Sequence, residues 1–138
     1  MPFLQATLHR IRVKHPDFDL DFLADYPPLT AEAWLQNLMG VGPKVAASAL
    51  NASTLRMRSF IADTHVVRVL KRLGHIAPKA TSRQAHDFVM DAAPHYSAVD
   101  LTELHVLIKT LGQQICRHSH PACRNCPVRG GCQSNGRW

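Results

Sequence analysis

The sequence predicts an all-α fold, and three observations carry that prediction. Apolar residues recur at three- and four-residue intervals in six stretches. Period-two alternation is confined to one short acidic segment, and the prolines and glycines, apart from Gly112, fall between the periodic stretches or at their ends. At 138 residues the chain has the length of one domain, enough to bury roughly two-thirds of its unfolded surface. No internal repeat is present, so a helical solenoid is not indicated.

The first helix is expected over residues 3–13, where Leu4, Leu8 and Ile11 form an apolar stripe beside His9, Arg10 and Arg12. His15 and Pro16 end it. The segment DFDLDFLADYPPL then forms an ordered connection. Its four aspartates lack the glycine turn and terminal glutamate of a calcium-binding loop, so they read as solvated charge. Thr30 is placed to cap a second helix with Ala31, Trp34, Leu35 and Leu38 inward. That helix leads into Gly40, Val41 and Gly42, a tight turn that bulkier residues would obstruct. Pro43 follows at a helix start, where its missing N–H costs nothing, and Lys44 falls in the first turn. The residues after it, PKVAASALN, are small enough for close packing against a neighbour, which suits a helix, turn, helix hairpin.

After a basic loop, TLRMRSF, Asp63 or Thr64 caps a fourth helix. Val66, Val69, Leu70 and Leu73 make its apolar stripe; Arg68, Lys71, Arg72 and His75 make a cationic one, and Gly74 ends it. Ser82 begins a fifth helix with Ala85, Phe88, Val89 and Ala92 inward, stopped by Pro94. A long sixth helix runs from about Asp100 to Ile115, burying Leu104, Leu107, Ile108, Leu111 and Ile115.

Charge is distributed unevenly. Residues 1–43 hold three basic and five acidic side chains, and residues 44–138 hold thirteen and five. A cationic excess that begins at Lys44 favours a polyanionic partner. The N-terminal half of the hairpin's second helix adds N–H groups and a partial positive charge, a geometry suited to phosphate. No apolar run is long enough to cross a bilayer and the N-terminus lacks the pattern of a secretory signal, so a cytoplasmic protein with no membrane association is expected.

All four cysteines lie near the C-terminus, at Cys116, Cys123, Cys126 and Cys132, spaced C-x6-C-x2-C-x5-C. Nothing marks the chain as secreted, so disulfides are not expected. Four thiolates can hold zinc or a four-iron, four-sulfur cluster, and His118 and His120 leave a mixed Cys/His zinc site open. Arg117, Arg124, Arg129 and Arg137 surround them, with no acidic residue after Glu103.

Together LMGVGPKVA, the downstream ADTHVVRV and the cysteine spacing of six, two and five resemble endonuclease III, the iron–sulfur branch of the helix-hairpin-helix DNA glycosylases. The resemblance runs from about Gln5 to Cys132. It implies the helix-hairpin-helix glycosylase fold with residues 1–115 as the helical domain and residues 116–138 as iron–sulfur loop and tail. It implies Lys44 as nucleophile, Asp63 as catalytic carboxylate, and Cys116, Cys123, Cys126 and Cys132 as ligands of a [4Fe-4S] cluster. Gly40, Val41, Gly42 and Lys44 of the hairpin, with Arg68 of the cationic stripe, become the DNA contacts. The implied activity is base-excision repair on double-stranded DNA bearing a damaged base or abasic site. One enzyme would remove the base and cleave the abasic strand by β-elimination, in a bacterial-type, nucleoid-associated setting.

The chain departs from this pattern in two ways. Pro43 precedes Lys44, stiffening the helix start. Full-length relatives also carry a long stretch before the point matched by Met1, including helices of the six-helix domain and much of the base pocket. The helical domain is therefore expected to be incomplete, with apolar surface exposed to oligomerisation or a partner chain. The alternative function is a non-catalytic DNA-binding remnant that grips phosphates without a finished pocket.

Overall fold

A computed structural model describes residues 2–137; Met1, and with it the matter of where the chain starts, lies outside them. Among the described residues there are six α-helices and no strand: α1 Pro2–Lys14, α2 Pro28–Gln36, α3 Pro43–Asn51, α4 Thr64–Leu73, α5 Ser82–Ala92 and α6 Ala98–Gln114, with short 3-10 turns at Asp21–Asp25, Cys123–Asn125 and Arg129–Gly131. None of these helices is long and apolar enough to cross a membrane. The all-α expectation holds, element by element.

Helix ends follow local chemistry. The turn into α3 needs Gly40 at φ +81°, where a Cβ would also lie 3.0 Å from the Cβ of Phe3 on α1. Gly42 then caps α3 with Pro43 at its first position. Helix α4 is capped by Asp63, whose side chain accepts a hydrogen bond from the Val66 N–H, and closed by Gly74 at φ +89°. Helices α5 and α6 begin in reciprocal capping boxes, Thr81 with Gln84 and Ser97 with Asp100.

Four details differ from the sequence reading. Helix α2 starts at Pro28 rather than after Thr30, because a proline at the first position is already set at a helical φ. Helix α6 starts at Ala98 under the Ser97 cap, and Leu107 is 61% exposed. Leu104 and Ile108 do pack against the core as expected, and the fully buried positions beside them are Leu101 and His105. Ala92 at the end of α5 is exposed. On α1 only Ile11 is buried, while Leu4 and Leu8 face solvent.

The core has two parts. Ile11, Leu23, Ala31, Leu35, Leu38, Ala46 and Leu50, from α1 to α3, make the first cluster. Phe60, Ala62, Val66, Leu70, Ala85, Val89 and Leu101, from the segment before α4 through α6, make the second. The connection between them is buried: residues 59–63 are at most 7% exposed. Helix α3 bridges the two parts by packing on α5 and α6.

Candidate active site and nucleic-acid interface

The hairpin and the start of α4 meet at one cleft of about 1090 Å³, which both Lys44 and Asp63 line. That volume exceeds what a single nucleotide needs. Lys44 reaches it from the first turn of α3, and its side chain is exposed. No side chain caps α3, so the N–H groups of its first turn stay open to an incoming acceptor. At Gly42 the space a Cβ would occupy holds nothing within 4 Å, so a ligand's backbone can come close.

Asp63 is 6% exposed and serves as the α4 cap through Oδ1, 2.9 Å from the Val66 nitrogen. It is the only carboxylate lining the cleft among the described residues, against five cationic side chains: Lys44, Arg68, Lys71, Arg72 and Arg137. A cleft with that imbalance of charge attracts a phosphodiester chain.

Two of those cations are held by backbone. The Arg68 Nη2 donates to the Gly112 carbonyl at 2.7 Å, its Nε donates to the Cys116 carbonyl at 3.2 Å, and Nη2 lies 3.1 Å from His65 Nδ1. The guanidinium thus satisfies carbonyls at the end of α6 that helix geometry leaves open. Arg72, one turn further along α4, donates to the carbonyls of Arg117 and His118 at 2.6 and 2.9 Å and contacts the Cys116 Sγ at 3.4 Å. Helix α4 therefore carries Asp63 at one end and fixes the first cysteine segment at the other.

The four cysteines are free, half-buried and line a single second cavity, walled in part by Leu111, Ile115, Pro121 and Val128. The Cys132 Sγ donates to the Arg72 carbonyl at 3.4 Å. Soft thiolate donors in an apolar setting with a guanidinium alongside fit an iron–sulfur cluster, whose negative charge such a neighbour offsets. Among the described residues no group of three or more His, Cys, Asp or Glu side chains is drawn together around one metal ion.

Two features escape a sequence reading. The chain beyond Cys132 folds back onto α4, where the Ser134 N–H donates to the Arg72 carbonyl at 3.2 Å and the Gln133 side chain packs over Gly74. Gln133, Ser134 and Arg137 thereby become a wall of the cleft. No local pattern announces that register.

The second feature is a buried polar network. Glu32, 3% exposed on α2, accepts from Ser59 Oγ at 2.6 Å, meets His86 Nε2 at 3.0 Å and pairs with Arg83 Nη1 at 2.9 Å. His86 Nδ1 and Arg83 Nε reach Asp87 at 3.1 and 3.0 Å. Burial alone would raise the Glu32 pKa, but hydrogen bonds from His86 and Ser59 and the charges of His86 and Arg83 outweigh it and hold the carboxyl below its ordinary value. Burial likewise opposes the imidazolium of His86, and its hydrogen bonds to Glu32 and Asp87 outweigh that and raise its pKa. The only trace in the sequence is a lone acid inside an apolar helix face.

DNA glycosylase/AP lyase ROS1 of Arabidopsis thaliana is 30% identical to this chain over 146 residues, which take in 94% of the chain and 10% of ROS1. Endonuclease III of Sulfolobus acidocaldarius is 30% identical over 117 residues, taking in 85% of the chain and 50% of that protein. Among solved structures, a trapped endonuclease III–DNA covalent intermediate shares the fold with a TM-score of 0.73 at 21% identity, over 95% of this chain and 56% of the other. The chain thus spans about half the length of endonuclease III and a tenth of ROS1. No protein-family model matches it.

Proposed function

We propose that this endonuclease III-like chain of the helix-hairpin-helix glycosylase type acts in DNA base-excision repair, as an N-glycosylase with an associated abasic-site lyase activity. The observation that carries the reading is that Lys44 and Asp63, nineteen positions apart in sequence, line one cationic cleft. The partner is double-stranded DNA carrying a damaged base or abasic site, met at the chromosome in the cytoplasm.

The chemistry follows from the two side chains. The Lys44 amine, when unprotonated, attacks C1′ of the sugar and the base leaves with the C1′–N bonding pair. The nitrogen then loses a proton and the C1′–O4′ bond breaks, O4′ leaving as a hydroxyl, so that the opened sugar carries the lysine as a protonated Schiff base. Loss of a proton from C2′ breaks the C3′–O bond and releases the 3′ phosphate. Asp63 lies where a carboxylate offsets positive charge developing on the sugar, and its place as the α4 cap fixes that position. The damaged base must first leave the duplex stack, for which the cleft offers room.

Gly40, Val41 and Gly42 do not line the cleft but lead into the open first turn of α3 at its edge, where they receive the phosphate backbone, while Lys44 and Arg68 add positive charge inside the cleft. Cys116, Cys123, Cys126 and Cys132 hold a [4Fe-4S] cluster whose contribution is to tie the loop to α4 and α6. Four cysteine thiolates suit either one zinc ion or a cluster that offers each thiolate its own iron, and the resemblance to endonuclease III favours the cluster. The exposed apolar side chains Phe3, Leu4 and Leu8 on α1 are covered by a partner chain or a second copy.

Borohydride trapping on an abasic duplex tests the reading. The wild-type chain should form a covalent adduct and Lys44→Ala should not. Salt-sensitive binding to intact and abasic duplex alike, with no adduct from a folded and cluster-loaded protein, would establish the DNA-binding remnant instead.

A further inference from the structure

Lys44 and Asp63 belong to different halves of the core. Lys44 opens α3, whose Ala46 and Leu50 lie in the first cluster; Asp63 opens α4, whose Val66 and Leu70 lie in the second. What fixes the amine against the carboxylate is therefore whatever fixes one half against the other.

The joining segment, residues 59–63, is buried along its whole length and has no strand partner among the described residues. A buried backbone of that kind depends on outside groups for its hydrogen bonds. It is held at three points, from three helices. Ser59 Oγ donates to Glu32 Oε1 on α2 at 2.6 Å. The Ser59 carbonyl accepts from Asn51 Nδ2 on α3 at 2.8 Å. The Ile61 carbonyl accepts from His105 Nδ1 on α6 at 2.6 Å. Two of the pins are themselves braced: Glu32 by His86 and Arg83 on α5, and Asn51 by the Thr102 hydroxyl on α6 at 2.6 Å. Two residues after the last pin the chain reaches Asp63.

We propose that Glu32, Asn51, Ser59 and His105, with His86 braced behind Glu32, are positioning residues that set the register of Asp63 against Lys44. The inference rests on the reading of Lys44 and Asp63 as the reacting pair. Apolar contacts of the same area would let residues 59–63 slide, because dispersion has little directional preference. Buried hydrogen bonds to both the side chain and the carbonyl of Ser59 admit one arrangement. A displacement of about 1 Å at reacting atoms is enough to cost on the order of 100-fold in rate. None of the four residues lines the cleft, so their substitution leaves the DNA-facing surface intact.

The test uses the full chain with an abasic duplex and compares single-turnover trapping rate at saturating DNA with binding affinity. Ser59→Ala removes the donor to Glu32, and Glu32→Gln keeps the shape but removes the charge. Both should lower the trapping rate about 10- to 100-fold while the affinity changes by less than about threefold. Val89→Ala, in the second cluster and outside the pins, supplies a variant weakened in stability alone; its trapping rate should stay within about threefold of wild type at a temperature where all variants remain folded. Wild-type rates in both pin variants, or losses no larger than that of Val89→Ala, would overturn the inference. An absence of adduct from the wild-type chain would instead overturn the reading of Lys44 and Asp63, and the inference with it.

Discussion

Asp63 has two roles that a pair of substitutions separates. Its Oδ1 accepts the Val66 N–H at 2.9 Å and caps α4, and its carboxylate charge faces the cleft with Lys44. Asparagine keeps an acceptor oxygen at the same place and is as good a cap as aspartate, so Asp63→Asn should leave stability nearly unchanged. Asp63→Ala removes the acceptor, which costs about 1 kcal/mol, or roughly 4 °C in melting temperature for a domain of this size. Catalysis should divide differently. If the charge stabilises the reacting sugar, both variants lose about 100- to 1,000-fold in single-turnover trapping, the loss typical of removing one electrostatic stabiliser. The assay is borohydride trapping on abasic duplex, with thermal melting on the same preparations. An Asp63→Asn variant that traps at the wild-type rate would refute the catalytic assignment and leave Asp63 a helix cap.

Other outcomes follow from particular contacts. The Glu32–His86 pair gives stability a pH window. His86 has a folded pKa above its ordinary 6.5, so its contribution is complete below that value and is lost as pH rises through the raised one. Glu32 has a folded pKa below its ordinary 4.5, so its contribution is complete above that value and is lost as pH falls through the lowered one. Urea unfolding of wild type against His86→Gln should show the variant lacking the alkaline loss; parallel curves would remove the pair from the account. Gly74→Ala forces φ +89° on an alanine and drives a Cβ toward Gln133, so it should cost about 1–2 kcal/mol by the same unfolding measurement. Because the Gln133 side chain can swing aside, the strain comes mainly from the backbone. Cys126→Ser should lose the brown colour and iron of the wild-type chain, which should hold about four irons; a colourless, zinc-loaded wild type would overturn the cluster. Arg68→Ala should destabilise the chain by about 1–2 kcal/mol, because two half-buried hydrogen bonds from a charged donor to carbonyls are lost. Lys71→Ala, which removes a cleft cation with no such contacts, should mainly reduce the salt slope of DNA binding by about one. Equal salt-slope changes in both variants would show that Arg68 is spent on phosphate rather than on the end of α6.

The sequence makes the helices legible because their signals are local. Helix α4 is the clearest case: an aspartate cap, an apolar stripe and a closing glycine lie within a dozen residues, and each appears where periodicity puts it. Exposure is less legible. Leu4 and Leu8 on α1 have the spacing of a buried stripe and face solvent, since periodicity reports which residues share a face and not what covers it. Leu107 on α6 shows the same limit, because one helix carries apolar residues in two phases and only packing chooses between them. Lys44 and Asp63 could be named from spacing, but their meeting in one cleft is tertiary. Glu32 leaves only the trace of a lone acid in an apolar helix face, and His86 leaves none. Polar residues enter a core only with partners, and theirs come from positions 27 and 54 residues away.

The two-part core gives that polar network a reason to exist. A nucleophile and a carboxylate on one rigid helix would need no further alignment. Here the hairpin that presents Lys44 is packed by α1 and α2, and the helix that presents Asp63 is packed by α5 and α6. Direct packing between the parts runs through α3 against α5 and α6. Small residues such as Ala46 and Ala47 let α3 come close but offer little to resist rotation about its axis. Asn51, at the far end of α3 from Lys44, supplies that resistance: it holds Ser59 with its nitrogen and Thr102 with its oxygen. Fixing one end of α3 to the segment that leads into Asp63 constrains the other end, where Lys44 stands. On the proposed reading of Lys44 and Asp63, the alignment is made by directional contacts outside the cleft, which leaves the cleft surface cationic.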